Sequence, residues 1–154
     1  MKDREILLVE HNADDAELSL RALRNIASES RIAHAWDGAS ALDLVFGPDG
    51  YAARGPAGVC NLILLEIELP IINGLEVLRR LKEDVRSRTI PVVMLTASGE
   101  ASDLRDSFAL GANSYIRKPV SLSAYVNRVT EAALYWVLHN HSHPCHCHDG
   151  GTVR

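Results

Sequence analysis

The sequence predicts a doubly wound α/β domain: a five-stranded parallel sheet in the order 2-1-3-4-5, with helices on both faces. Three observations carry that expectation. Two short apolar runs, Ile6-Leu7-Leu8-Val9-Glu10 and Asn61-Leu62-Ile63-Leu64-Leu65-Glu66, show no alternation and end on a carboxylate. Such runs read as central strands, because a parallel strand covered by helices on either side has no polar face. Five strand signals alternate with five helix signals, the grammar of repeated βαβ units. Right-handed crossovers then set the first and third strands side by side at the switch point, where open α/β sheets hold their sites outside the carboxyl ends of the strands. Glu10, His11 and Glu66 are therefore expected to share one crevice.

Taken in order, Ile6 to Glu10 is the first strand. His11-Asn12-Ala13-Asp14-Asp15 supplies a turn, a capping side chain and first-turn acids that favour a helix N-terminus. Leu18, Ala22, Leu23 and Ile26 follow at helical spacing. Arg31 to Ala35 is a short second strand, and Asp37-Gly38 turns into a helix carrying Ala41, Leu42 and Val45. The Gly/Pro-rich stretch from Gly47 to Val59 reads as a surface loop. After the strand ending at Glu66, Asn73-Gly74 closes a turn, and Leu75, Val77, Leu78 and Leu81 pattern a helix that stops near Asp84. Ile90 to Thr96 is the fourth strand, with Pro91 at its entry, where a missing donor is tolerated. A polar helix from Ser98 to Leu110 ends at Gly111, and Asn113 to Ile116 is the fifth strand. Leu122, Val126, Val129, Ala133 and Trp136 form one stripe of a long last helix capped by Ser121. No internal repeat is present.

The 154 residues, 47% of them hydrophobic, suffice for one domain with a proper core. A formal charge of −4 and a pI near 5.9 argue against nucleic acid, which calls for a basic face. No apolar segment reaches the ~20 residues of a membrane span, and no signal-peptide core precedes the first strand, so the cytoplasm is the expected compartment. Cys60, Cys145 and Cys147 do not make a disulfide framework. Cys60 is expected as a small core hydrophobe.

Four items converge on the carboxyl edge of such a sheet: Glu10-His11, Glu66, Thr96 and Lys118-Pro119. Acids, a hydroxyl and an ammonium around one carboxylate suit a phosphoryl group with a divalent cation. Together with Leu65-Glu66-Ile67-Glu68-Leu69-Pro70, Asn73-Gly74, Leu95-Thr96-Ala97-Ser98, Gly111-Ala112-Asn113-Ser114-Tyr115 and Lys118-Pro119-Val120, this order resembles the receiver domain of two-component response regulators, a flavodoxin-like (βα)5 fold. The resemblance runs from about Glu5 to Asn140. It is nearest the single-domain regulators of phytochrome-type histidine kinases, judged by the long loop after the second helix, by Leu110 to Tyr115 and by Leu134-Tyr135-Trp136-Val137-Leu138.

The resemblance implies a non-enzymatic signalling module whose aspartate takes a phosphoryl group from a kinase histidine. Mg²⁺ would be held by acids at the end of the first strand, by the phosphoacceptor and by the backbone carbonyl of Glu68. Thr96 and Lys118 would contact the phosphoryl oxygens, Tyr115 would be an aromatic switch, and a cis Lys118-Pro119 bond would aim the ammonium inward. Two positions depart from that pattern: the phosphoacceptor is Glu66 and the second acid is His11. One extra methylene moves a carboxylate by ~1.5 Å, and ~1 Å of misplacement can cost ~10²-fold in rate. Imidazole, moreover, suits Zn, Cu, Ni or Fe better than Mg²⁺. A receiver independent of phosphorylation follows, with Glu66 pairing with Lys118 and partly imitating the phosphorylated state. Alternatives are a functioning phosphoacceptor serving a histidine kinase, and a protonated His11 replacing the metal.

Tyr125, Leu134, Tyr135 and Leu138 lie off the first stripe of the last helix and suggest a homodimer through the fourth helix, fifth strand and last helix. Residues 1–140 form the receiver and 141–154 a tail. His141, His143, Cys145, His146, Cys147 and His148, with His139 before them, give that tail the ligands of Zn, Cu(I) or Ni, so metal handling is a third reading.

Overall fold

The computed structural model describes residues 5–54, 60–119 and 121–139. Five strands, β1 (Ile6–Val9), β2 (Ile32–Ala35), β3 (Leu62–Glu66), β4 (Val92–Thr96) and β5 (Ser114–Arg117), form one parallel sheet in the order β2-β1-β3-β4-β5. Five helices alternate with them: α1 (Ala13–Leu23), α2 (Gly38–Phe46), α3 (Gly74–Glu83), α4 (Ala101–Ala109) and α5 (Leu122–Ala133). The expected class and strand order are both found.

Every residue of β1, β3 and β4 is buried, which is why their sequences do not alternate. Leu7, Val9, Ile63 and Leu65 face a core shared with α2 and α3. Ile6, Leu8, Leu62 and Leu64 face a second core shared with α1 and α5. Between those two helices, Tyr125 and Ser19 share a buried hydrogen bond of 2.9 Å.

The last helix corrects the expected stripe. Leu122 is 66% exposed, whereas Tyr125 is 3% exposed and joins Val129 and Ala133 on the packed face. The aromatic ring and its hydroxyl partner on α1 decide the helix's rotation, and hydrophobicity alone did not reveal that partner. Beyond Ala133 the chain widens into a π-helical segment, Leu134–His139, in which the Trp136 indole donates to Ser114 Oγ at 2.9 Å. The loop after α2 contains a 3₁₀ turn, Tyr51–Arg54, with Tyr51 buried. The fourth helix is shorter than expected and starts at Ala101, with Ser98 instead accepting the Glu100 N–H within the preceding loop. No cis peptide bond occurs among the described residues, so the cis Lys118-Pro119 bond implied by the resemblance is not found. The tail residues 141–154 lie outside the described residues.

The turn from β3 into α3 sets the position of Glu66. Gly74 donates to Ile67 O at 2.7 Å, and a Cβ at Gly74 would lie 2.1 Å from Glu66 O. Ile71 accommodates the same tight return at φ 72°, a left-handed conformation unfavourable for a β-branched side chain, and is 77% exposed. Gly74→Ala is therefore expected to destabilise the protein by about 2 kcal/mol or more through forced displacement of the β3 end, read from the urea midpoint.

Candidate functional site at the carboxyl edge of the sheet

Glu10 follows the last residue of β1, Glu66 ends β3 and Lys118 follows β5, so three strand ends open on one edge. The lysine must reach over β4, and neighbouring strands stand ~4.8 Å apart. Its backbone N–H is fixed by Thr96 O at 2.7 Å. From there its ammonium contacts Glu10 Oε1 at 2.8 Å, Asp15 Oδ2 at 2.8 Å and Glu66 Oε1 at 2.5 Å. The second oxygens are also engaged: Glu66 Oε2 accepts the Glu68 N–H at 3.0 Å and Glu10 Oε2 the Asn12 N–H at 3.2 Å.

Asp15 was not among the residues singled out for this site. It was legible only as a first-turn acid, yet α1 starts with Asn12 as its cap, whose Oδ1 accepts the Asp15 N–H at 2.8 Å. That capping bond helps fix the first turn, whose acid here serves as an ion-pair partner. Its spacing five residues after Glu10 was the available signal.

Electrostatics follow from burial. Glu10 is fully buried, and desolvation raises its pKa despite the opposing hydrogen bond and charge of Lys118. Burial alone would lower the Lys118 pKa, but the hydrogen bonds it donates to Asp15, Glu10 and Glu66 and the charge of Glu10 outweigh it and hold it well above the ordinary lysine value.

The other expected residues are placed differently. His11 is exposed and enters none of the hydrogen bonds around Lys118, so a protonated His11 does not occupy the cation's place. Thr96 is buried, and its Oγ1 accepts the Ser98 N–H at 3.0 Å, shaping the loop after β4. The Tyr115 ring is half-buried, 6.4 Å from the Phe108 ring centroid, with its hydroxyl sealed from solvent. Burial, and then the charge of Asp103, push its pKa up. Cys60 is buried beside β3, as expected.

Mg²⁺ is the cation implied by the resemblance, and it calls for a shell of oxygen donors. Among the described residues no group of three or more His, Cys, Asp or Glu side chains is arranged to hold a metal ion. The reason lies in the ion pairs: Glu10, Asp15 and Glu66 turn an oxygen each onto Lys118, and the next candidate, His11, faces solvent. These residues as arranged do not fit Mg²⁺.

Comparison with known proteins gives the arrangement a context. Residues 6–130 match the response regulator receiver domain. The chain is 38% identical over 137 residues to the probable methanogenesis regulatory protein FilR2 of Methanothrix harundinacea, covering 89% of this chain and 86% of that protein. The phosphorylated cyanobacterial phytochrome response regulator RcpA superposes with a TM-score of 0.80 at 32% identity, covering 94% of this chain and 100% of that one. The Mn²⁺-bound form of the response regulator Rcp1 gives 0.78 at 29% identity, over 90% and 98% of the two chains.

Removing the ammonium tests the cluster. Lys118→Met is expected to cost about 3–5 kcal/mol near pH 7, because buried carboxylates lose their counter-ion. Glu10 would then titrate higher still. An acid whose folded pKa is raised contributes stability below its unfolded pKa and loses it as pH rises through the folded value. The variant's deficit against wild type should therefore shrink towards about pH 4, as urea denaturation across pH would show.

Proposed function

Since this chain belongs to the response regulator receiver domain family, a family of two-component signalling modules, we propose that its output does not depend on phosphoryl transfer to position 66. The carrying observation is the contact of Glu66 with Lys118: the carboxylate at the acceptor position already holds the ammonium that would otherwise meet a phosphoryl oxygen. In-line attack needs a carboxylate oxygen aimed at the donor phosphorus, with cationic charge free to neutralise the incoming oxygens. Here one Glu66 oxygen is bound by Lys118 and the other by a backbone N–H. The paired carboxylate partly imitates a phosphorylated site, with one charge against roughly −1.5 to −2 for a phosphate monoester.

In this reading residues 1–140 are the receiver, 141–154 are an appendage, and the module acts by protein contact. Its upstream partner is a histidine kinase of the phytochrome class, supported by the likeness to the phytochrome response regulator RcpA. Among the described residues no helix is long and apolar enough to cross a membrane. The six His and Cys residues between His141 and His148 favour a second reading, metal handling by the tail; stoichiometric Zn or Cu lost on truncation after Asn140 would identify it.

Incubation with acetyl phosphate or a phytochrome-type kinase, followed by intact-mass measurement, is expected to leave the wild type without a phosphoryl adduct. The double variant Glu66→Asp/His11→Asp should gain one, because it restores the shorter carboxylate and an oxygen donor. A stable adduct on wild-type Glu66 would instead establish a working phosphoacceptor.

A homodimer through α4, β5 and α5 completes the proposal. Leu104 and Phe108 on α4, and Tyr135 and Leu138 beyond α5, are large apolar side chains exposed to solvent. Sedimentation at tens of micromolar should show a dimer, and Phe108→Asp should shift it to monomer; a monomeric wild type would remove the interface.

A further inference from the structure

The edge that ought to present oxygens to a divalent cation presents them to a lysine. An ammonium has three N–H donors, and Lys118 directs them at three carboxylates, Glu10, Asp15 and Glu66, at 2.8, 2.8 and 2.5 Å. We propose that Lys118 is the resident cation of this pocket, braced there by Asp15, and that it replaces the divalent metal so that the site works metal-free. This rests on the receiver assignment, but not on whether Glu66 accepts a phosphoryl group.

Geometry supplies the argument. Glu10 and Glu66 come from adjacent strand ends, and Asp15 comes down from the first turn of α1. The ammonium therefore lies among β1, β3 and α1, across the end of β4 from β5. With only Glu66 as partner it would be a lysine beside an acceptor. Asp15 and Glu10 draw it further, into the place where charges from β1 and β3 converge. The lysine side chain is 9% exposed and Glu10 is buried, so both ions have lost most of their water and depend on each other.

Mg²⁺ would have to displace this arrangement. It demands near-octahedral oxygen geometry at ~2.0–2.1 Å and surrenders its own water reluctantly. Entry would break three ion pairs and leave a dehydrated ammonium with fewer counter-ions, a substantial penalty for a buried charge. His11 offers nothing in return, since it faces solvent and carries nitrogen rather than oxygen. A shorter residue at 66 or an oxygen donor at 11 would change that balance, and neither is present.

The test is a titration of the full chain with Mg²⁺ and with Mn²⁺, followed by NMR. In the wild type, amides of residues 10–12 and 66–68 should neither shift with millimolar Mg²⁺ nor broaden preferentially with Mn²⁺. The Lys118 side-chain ¹⁵N resonance should stay in place. In Lys118→Met the same amides should broaden at Mn²⁺ concentrations about tenfold lower or less, because three uncompensated carboxylates are then open to a cation. Wild-type broadening at these amides, with movement of the lysine resonance, would overturn the proposal. If Lys118→Met does not fold, the wild-type resonances decide alone. Phosphoryl transfer to Glu66 without cation binding would refute the functional reading and leave this one standing; cation binding without transfer would do the reverse.

Discussion

The ammonium of Lys118 is the interaction on which the carboxyl edge depends. Three strand ends and one helix N-terminus bring Glu10, Asp15, Glu66 and Lys118 together. Three carboxylates this close repel each other, and burial penalises each ionised form. A single cation among them offsets both costs at once. At the end of β4, the carbonyl of Thr96 anchors the lysine backbone. Replacing a buried ion pair by apolar residues is often neutral or stabilising in isolated domains. Stability alone thus gives weak reason for the cluster, and its placement at the carboxyl edge beside the switch point, where open α/β sheets hold their sites, gives a stronger one.

A second lysine shows how far surroundings decide the outcome. Lys82, on α3 at the opposite edge, donates to Arg88 O, Ile90 O and Asn113 Oδ1 at 3.0, 2.8 and 3.1 Å. Its partners are neutral, so burial dominates and brings its pKa down to about 8. Lys118 is comparably buried, but its partners carry charge, and its pKa moves the other way. Both make three hydrogen bonds; the sign of the shift comes from whether the acceptors are dipoles or ions. Asn113, which also accepts the Val92 N–H at 2.9 Å, lets Lys82 tie α3 to the entries of β4 and β5.

Much of this was legible in the residues. The non-alternating runs at Ile6 and Leu62 gave the central strands because burial on both faces leaves no polar period, and the terminal acids marked the edge. The strand order followed from crossover handedness. What could not be read was contact between side chains distant in sequence. Tyr125 turned inward because Ser19, 106 residues away, offers its hydroxyl a partner. Asp15 entered the site because a capping asparagine and a lysine 103 residues away fix its position. His11 carried the expectation of a charged site residue, but a loop position one residue past a strand end faces solvent as readily as the crevice.

The core shows how far the scaffold stands apart from the chemistry of its edge. The two apolar clusters are filled by side chains from the strand interiors and from the helix faces packed on them, and neither includes Glu10, Glu66 or Lys118. The sheet therefore draws its cohesion from hydrophobic burial below the edge, and the ionic cluster has only to balance its own desolvation. A methylene added at position 66 lengthens one arm of that cluster without entering the core. It carries the carboxylate towards the ammonium, and the contact at 2.5 Å completes the lysine's set of three partners. An aspartate there would end about one C–C bond, ~1.5 Å, short of this contact. A glutamate makes it from within the chain.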